Sequence, residues 1–388
     1  MNLSGALKQR ETRLDALRAS VLSVVVIMNM MTLSGLAYLG PEMRAQTLGA
    51  ADRAAWAFLD VFLDGKALAA FSFMFGLSFS MILQRAGPAG ETVTTRFLRR
   101  FAVLGLIGAF NAIFLFWADI LMTYALLGLL LPFAARLPLR MTISLGLGLV
   151  LTGPLALALS GVGPPVPVPE GQLESIQAYA SSNYADTVSQ NLSMVTGATD
   201  AATGTLLLRL FTLTGLFLLG LAIGKSGLPG KIAENRALLV RWGALVFVSG
   251  LCAGLTLHMI GIPQGALYFL YLETPLMALG YLMLLASALY GRETWLHKLL
   301  APLGRMSLTG YLGASLLGQL AFYGWGFQLI GQLGTLGVIA LALATVLLLA
   351  GFAQLWFRHF CYGPWEWLWR SLTDLQPQPF RRDSRAPV

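Results

Sequence analysis

The chain has 388 residues, of which 56% are hydrophobic and 11% charged, and its 26 Lys and Arg against 18 Asp and Glu give a formal net charge of +8. With a mean hydropathy of +0.70, this composition excludes a soluble globular domain and points to a membrane protein. Apolar runs of 18 or more residues recur along the chain, each long enough to cross a hydrocarbon core about 30 Å thick as a helix rising 1.5 Å per residue, so helices are expected rather than a barrel.

The expected fold is an all-α polytopic bundle, one membrane domain over residues 1–388, with ten transmembrane helices. In chain order the spans cover residues 19–40, 65–83, 101–117, 119–137, 141–162, 205–224, 238–261, 266–290, 306–325 and 333–356. Residues 1–18, with Lys8, Arg10, Arg13 and Arg18, form a cytoplasmic N-terminal segment. No small-residue cleavage site follows the first apolar run, so that run is expected to stay as an anchor.

The positive-inside bias tests this threading. With the N-terminus inside, Arg85, Arg96, Arg99 and Arg100 fall in the second connection and Arg136 and Arg140 in the fourth. Lys225, Lys231, Arg236 and Arg241 follow, then Arg292, Lys298 and Arg305, and Arg358, Arg370, Arg381, Arg382 and Arg385 in the tail. Every Lys and Arg except Arg44, Arg53, Lys66 and Arg209 is then cytoplasmic, and both termini lie inside. The basic charge is therefore a topology signal, and no nucleic-acid partner is implied.

Residues 163–204 open with "GPPVPVPEG" and carry Glu170, Glu174, Asp186 and Asp200 with no Lys or Arg, which places them as an extracytoplasmic loop. A loop of this length is expected to be a mobile connector, with a short surface helix over the site as the alternative. Residues 357–388 are expected to form a cytoplasmic interfacial tail in which Trp365, Trp367 and Trp369 anchor at headgroup level and Arg370 meets phosphates, with an extended docking strand as the alternative because a Trp spacing of two makes no helical stripe.

Cys252 falls in a span and Cys361 in the tail, which makes no disulfide framework. His258, His297 and His359 form no HxxxH or HxH pair, so no metal site is expected. No internal repeat stands out. Gly220 and Gly224 make a GxxxG, and with Gly146, Gly148, Gly153 and Gly215 they are read as bundle-packing residues.

Polar groups at membrane depth are costly and mark interior pairs or sites. Asp60, Asp64, Lys66, Asp119, Arg209 and Glu273 gather toward the outer leaflet, with Asp60 and Arg209 read as end-of-helix ion pairs and Lys66, Asp119 and Glu273 as functional candidates. Asn29 lies eleven residues past Arg18, about 16 Å along a helix and so near mid-membrane. Asn111 reaches a comparable depth. The first expectation for the two amides is an interhelical hydrogen bond of about 0.6 kcal/mol, with the lining of a polar cavity as the alternative.

"RLDALRASVLSVVVIMN" (Asp15, Arg18, Asn29) resembles the opening span of the YeiB-like domain-of-unknown-function family of bacterial multi-pass proteins. So do "DGKALAAFSFMFGLSF" (Lys66, Phe71, Ser72), "RRFAVLGLIGAFNAIFLFWADILMTYALLG" (Arg100, Gly108, Asp119, Tyr124), "GRMSLTGYLGAS" (Arg305, Thr309, Tyr311) and "YGPWEWLWRSLT" (Gly363, Glu366, Arg370). The matches run nearly end to end in order.

The family is in turn distantly similar to transmembrane acyltransferases through the Arg13, Asp15 and Arg18 opening. That resemblance implies a bacterial inner-membrane protein which passes an acyl group from acyl-coenzyme A to a sugar, lipid or other small acceptor, with no resident cofactor. It also implies histidines where this chain has Asn29 and Asn111, and a glycine where Ala118 precedes Asp119. An amide takes no proton at neutral pH, so a general base would come from Asp119, Glu273 or His258. The catalytic candidates are therefore Asp119, Glu273, Asn111 and Asn29. The substrate-binding candidates are Asp15, Arg18, Lys66, Arg100, Arg305 and Tyr311, with Arg13 and Arg99 completing a basic cytoplasmic rim. Two other readings stand beside the enzyme: a transporter or transport-associated protein with proton-coupled Asp119 or Glu273, and a membrane partner that has lost its base.

Overall fold

A computed structural model describes residues 3–86, 91–159, 172–197, 200–232, 235–259, 272–289 and 295–382, with side chains left out at 3–11, 85–86, 91–93, 156–159, 172–173, 200–208, 230–231 and 257–259. The side chains of Lys8, Arg10, Arg85, Glu170, Asp200, Lys231, His258, Arg292 and Arg385 thus lie outside the described residues, as do 163–171 of the expected loop and the ends of the fifth, seventh and eighth expected spans.

The described chain is helical apart from connections and one isolated bridge between Phe360 and Arg381. Its helices are α1 (Leu3–Leu33), α2 (Pro41–Thr47), α3 (Ala50–Phe62), α4 (Lys66–Ala86) and α5 (Glu91–Phe110), which continues as a π-helical segment over Asn111–Leu115. After an irregular stretch come α6 (Leu121–Gly128), α7 (Leu131–Ala134), α8 (Leu139–Leu159), α9 (Gln172–Tyr179), α10 (Tyr184–Thr196) and α11 (Asp200–Lys225). Then follow α12 (Arg236–Met259), α13 (Glu273–Leu289), α14 (Trp295–Arg305), α15 (Ser307–Phe322), α16 (Thr335–Trp356) and α17 (Pro364–Asp374).

Among the described residues five stretches are long and apolar enough to cross a bilayer: Thr12–Leu33, Ala50–Gln84, Thr94–Leu115, Arg236–Thr256 and Thr335–Trp356. Ten spans were expected; these five are counted over the described residues only, and two of the other expected spans are divided or short. The fourth expected span divides into α6 and α7 just before Pro132, which has no N–H to continue the helix. The ninth is α15, whose 16 residues reach about 24 Å.

Two close helix pairs set the interior. α4 and α11 meet at Gly76 and Gly220, where a Cβ on either would fall 1.9 Å from the carbonyl oxygen of Phe217 or Phe73. Only hydrogen at both positions lets the backbones touch, as the small-residue pattern led one to expect. α14 lies against the first half of α1, with Gly304 on the backbone of Asp15. The larger apolar core, built around Phe101, Tyr124, Phe217, Met306 and Phe322, joins α1, α5, α6, α11 and α15.

Contacts between connections sort into two ends of the bundle. At one end Asp52 accepts from the Leu336 N–H, the Gly324 N–H donates to Tyr179, and Lys66 meets Glu273. At the other Arg96 meets Asp374, Lys225 donates to Ala135 and Leu137, and Arg305 donates to Cys361.

Candidate functional site

A chamber of about 1490 Å³ extends along the bundle. It touches α1 from Thr12 to Thr32, a rise of about 30 Å and thus close to the thickness of a bilayer's apolar core. Of the sequence candidates, Asp15, Arg18, Asn29, Arg100, Asp119, Arg305 and Tyr311 line it. Asn111 stands directly behind Asp119, whereas Lys66 and Glu273 lie off the chamber wall.

The π-helical segment at 111–115 builds the centre of this chamber. Its wider turn places the Phe116 N–H on the Asn111 carbonyl, and the chain then leaves helical geometry until α6 begins. Such segments open a helix and turn a side chain out of register. Here the break carries Asp119 to the amino end of α6, where its Oδ2 accepts from the Met122 N–H at 2.9 Å. Asn111 Nδ2 donates to Oδ1 at 2.8 Å. Tyr311 is close enough to Asp119 and to Asn29 for its hydroxyl to interact with both. Gly108 makes room, because a Cβ there would sit 2.9 Å from Asp119 Oδ2.

The two amides therefore do not bond to each other, contrary to the first expectation for them. Asn111, fully buried, holds Asp119, and its Oδ1 has no hydrogen-bond partner among the described residues. Asn29 is half-buried on the chamber wall, which is the cavity-lining alternative.

The freed carbonyls of the break are satisfied by the segment expected to be a mobile loop. Its described part forms α9 and α10, with Tyr179, Thr187 and Asn191 buried. Asn191 Nδ2 donates to Ile113 O at 3.1 Å and the Tyr184 hydroxyl to Phe114 O at 2.6 Å, while Gln319 Nε2 reaches Phe114 O from α15. Irregular backbone at membrane depth persists only where protein groups replace the lost ladder bonds, and α10 supplies them. Asn183, whose side chain caps α10, is the local signal for this helix.

Toward the other end Arg18 Nη1 pairs with Asp15 at 2.6 Å and Nη2 donates to Ser78 at 2.9 Å. Arg100 stacks 3.8 Å from the Trp369 ring centroid, and Trp369 Nε1 donates to the Arg100 carbonyl. Arg305 lies over Phe357 at 4.3 Å. Glu366, Trp369, Arg370 and Arg382 of the tail line the same mouth.

The tail packs on the bundle as helix α17. The Glu366 carboxylate accepts from the Leu308 and Thr309 N–H groups and the Thr309 hydroxyl, and the Trp365 N–H donates back to Thr309 Oγ1. Burial pushes the Glu366 carboxyl above its ordinary range, and these donors oppose the shift.

Lys66 Nζ pairs with Glu273 Oε1 at 2.7 Å and also donates to Asp60 O at 3.3 Å. With the Lys66 side chain 4% exposed, this pair joins α4 to α13. Among the described residues no group of three or more His, Cys, Asp and Glu is placed to hold a metal. His297 contacts the Leu289 carbonyl at 2.7 Å, away from the chamber.

Residues 223–376 match the family described as "Protein of unknown function (DUF418)". The chain is 27% identical to YxaH of Bacillus subtilis (strain 168), with 96% of each chain aligned. It is 29% identical to YeiB of Escherichia coli (strain K12), over 94% of this chain and 96% of that protein. A 39.9 kDa protein in the amylase 3' region of Bacillus acidopullulyticus is 27% identical, with 95% of each chain aligned. Together with the apolar helices, these similarities point to a membrane protein that is similar to YxaH and YeiB over nearly its whole length and carries a DUF418 match over residues 223–376.

Proposed function

We propose that the protein threads the bacterial inner membrane ten times with both termini in the cytoplasm, and transfers an acyl group from a cytoplasmic donor to a small-molecule, lipid or glycan acceptor. The sorting of contacts supports the threading: connections expected outside meet one another, as Asp52 with Leu336, and those expected inside do likewise, as Arg96 with Asp374. No nucleic acid enters this reading.

The observation that carries the chemistry is one chamber joining the arginine mouth to Asp119. A donor such as acyl-coenzyme A enters with its phosphates at Arg18, Arg100 and Arg305, and its acyl end points inward. The Asp119 carboxylate takes the proton of the acceptor hydroxyl as that oxygen attacks the thioester carbonyl. The C–O bond forms, the C–S bond breaks, and the proton returns to the departing thiolate. Tyr311 and the Asn29 amide are donors on the same wall, suited to the carbonyl oxygen as it gains charge. Asn111 is a positioning residue for Asp119.

Purified protein in lipid nanodiscs, given acetyl-coenzyme A labelled in the acetyl group, is expected to move label into lipid or glycan, and Asp119→Asn to abolish the transfer. The chamber's length of about 30 Å favours one second reading, proton-coupled transport. No transfer, combined with pH-gradient-driven uptake that Asp119→Asn abolishes, would replace the first reading by the second.

A further inference from the structure

The cytoplasmic mouth holds more positive charge than its own carboxylates answer. Arg100, Arg305, Arg370 and Arg382 line it and form no salt bridge among the described residues. Asp15 is engaged by Arg18, and Glu366 by the start of α15. Any inner-membrane protein carries basic residues on this side, but those of an ordinary rim face lipid headgroups, whereas these four line one chamber.

Three of the four are held by aromatic faces: Arg100 over Trp369 at 3.8 Å, Arg305 over Phe357 at 4.3 Å and Arg370 over Tyr362 at 4.8 Å. A ring beneath the guanidinium fixes its plane and leaves the N–H edges of Arg100 and Arg370, and the part of the Arg305 edge not donating to Cys361 O, for a ligand, the arrangement suited to phosphate contacts. One phosphate ester carries a charge of only about −1.5 to −2, less than four guanidinium groups. Beyond the mouth the wall turns apolar, with Leu22, Val25, Phe71, Met74, Phe75 and Leu104.

We propose that this mouth is a binding site for the diphosphate head of an amphiphile whose apolar chain lies in the chamber, and that Arg370 and Arg382 of the tail form half of it. The inference deepens the proposed function, resting on it only in taking the arginine mouth as the donor's door. The same chemistry belongs to an acyl-coenzyme A and to an isoprenoid diphosphate of the membrane.

The test uses the full chain in phosphatidylcholine nanodiscs, with binding read by thermal shift and by tryptophan fluorescence, which Trp369 reports. Pyrophosphate should stabilise the protein more than orthophosphate. Palmitoyl-coenzyme A or farnesyl diphosphate should bind at least tenfold more tightly than pyrophosphate, and whichever is tighter tells the soluble source from the membrane source. Arg370→Ala and Arg382→Ala should each weaken that binding about tenfold while the ligand-free melting point stays put, and lysine at either position should restore only part of it. Equal binding by the alanine variants would overturn the proposal. So would stabilisation by phosphatidate-containing discs without any effect of a diphosphate, or equal affinity for pyrophosphate and both amphiphiles. Because no turnover is needed, absence of acyl transfer leaves this inference standing, and transfer without diphosphate binding sinks it alone.

Discussion

Asn111 donates its amide to Asp119 at 2.8 Å from inside the same break in the third span, so the residue that lost a helical turn and the carboxylate that gained a position belong to one local event. The Met122 N–H completes the hold on that carboxylate. Asp119→Asn keeps an oxygen for the Met122 N–H but cannot accept a proton. Transfer should fall by about 100-fold or more while the protein elutes and melts as the parent does. Asn111→Leu should lower the rate less and chiefly in kcat, since it loosens Asp119 without removing it. A radiometric assay on both variants checks the order.

Lys66 and Glu273 are expected to stabilise the protein without touching the chemistry. Lys66→Met leaves a carboxylate facing a buried site and should cost about 3 kcal/mol in a denaturant titration, whereas Lys66→Met with Glu273→Leu should recover most of that loss. Rates per folded molecule should match the parent in the double variant. A double variant that is stable yet inactive would return this pair to the list of catalytic groups.

Glu366 ties α17 to α15. Glu366→Ala strands the Leu308 and Thr309 N–H groups and should cost about 2 kcal/mol, with the tail becoming sensitive to protease. Because burial raises its folded-state pKa, the favourable contribution of this carboxyl is complete below the ordinary glutamate range and fades as pH rises through the raised value. The melting point of the parent relative to Glu366→Gln should therefore improve on acidification from about pH 8 to about pH 4. A difference that stays flat across that range would remove burial as the dominant influence on this group.

Asn191 supports the break from outside. Asn191→Leu removes both the donor to Ile113 O and the acceptor of the Tyr179 hydroxyl, so a loss of about 2 kcal/mol is expected. Hydrogen exchange should rise first over residues 111–120, ahead of the bundle helices. Uniform protection there would mean that water or lipid, rather than α10, satisfies the π-helical carbonyls.

Gly220→Ala tests the tightest helix contact. A methyl group 1.9 Å from the Phe73 carbonyl must push α4 and α11 apart, and about 3 kcal/mol or more should be lost. Gly148→Ala, on a surface with nothing within 4 Å, is the matched control and should be silent.

The all-helical, apolar character was legible because it responds to the bilayer directly, residue by residue: a helix that is not apolar does not insert. The GxxxG at Gly220 was legible for a similar reason, since close approach excludes a Cβ wherever the partner lies. Partnership was not legible. Nothing in the one-dimensional pattern distinguishes an Asn111 that bonds Asn29 from one that bonds Asp119, because the π-helical turn that decides between them depends on α10 and α15 filling the carbonyls it frees. The acidic loop read as a connector from its length, yet its described helices are held by Asn191 and Tyr184 against backbone that only the folded chain exposes. Nor does the spacing of Trp365, Trp367 and Trp369 reveal that Glu366 between them caps a helix 57 residues earlier. Insertion into lipid is set by side chains one at a time and so is written in the sequence. The chamber and the carboxylate on its wall arise from distant polar groups satisfying one another where water is absent, and only tertiary structure brings them together.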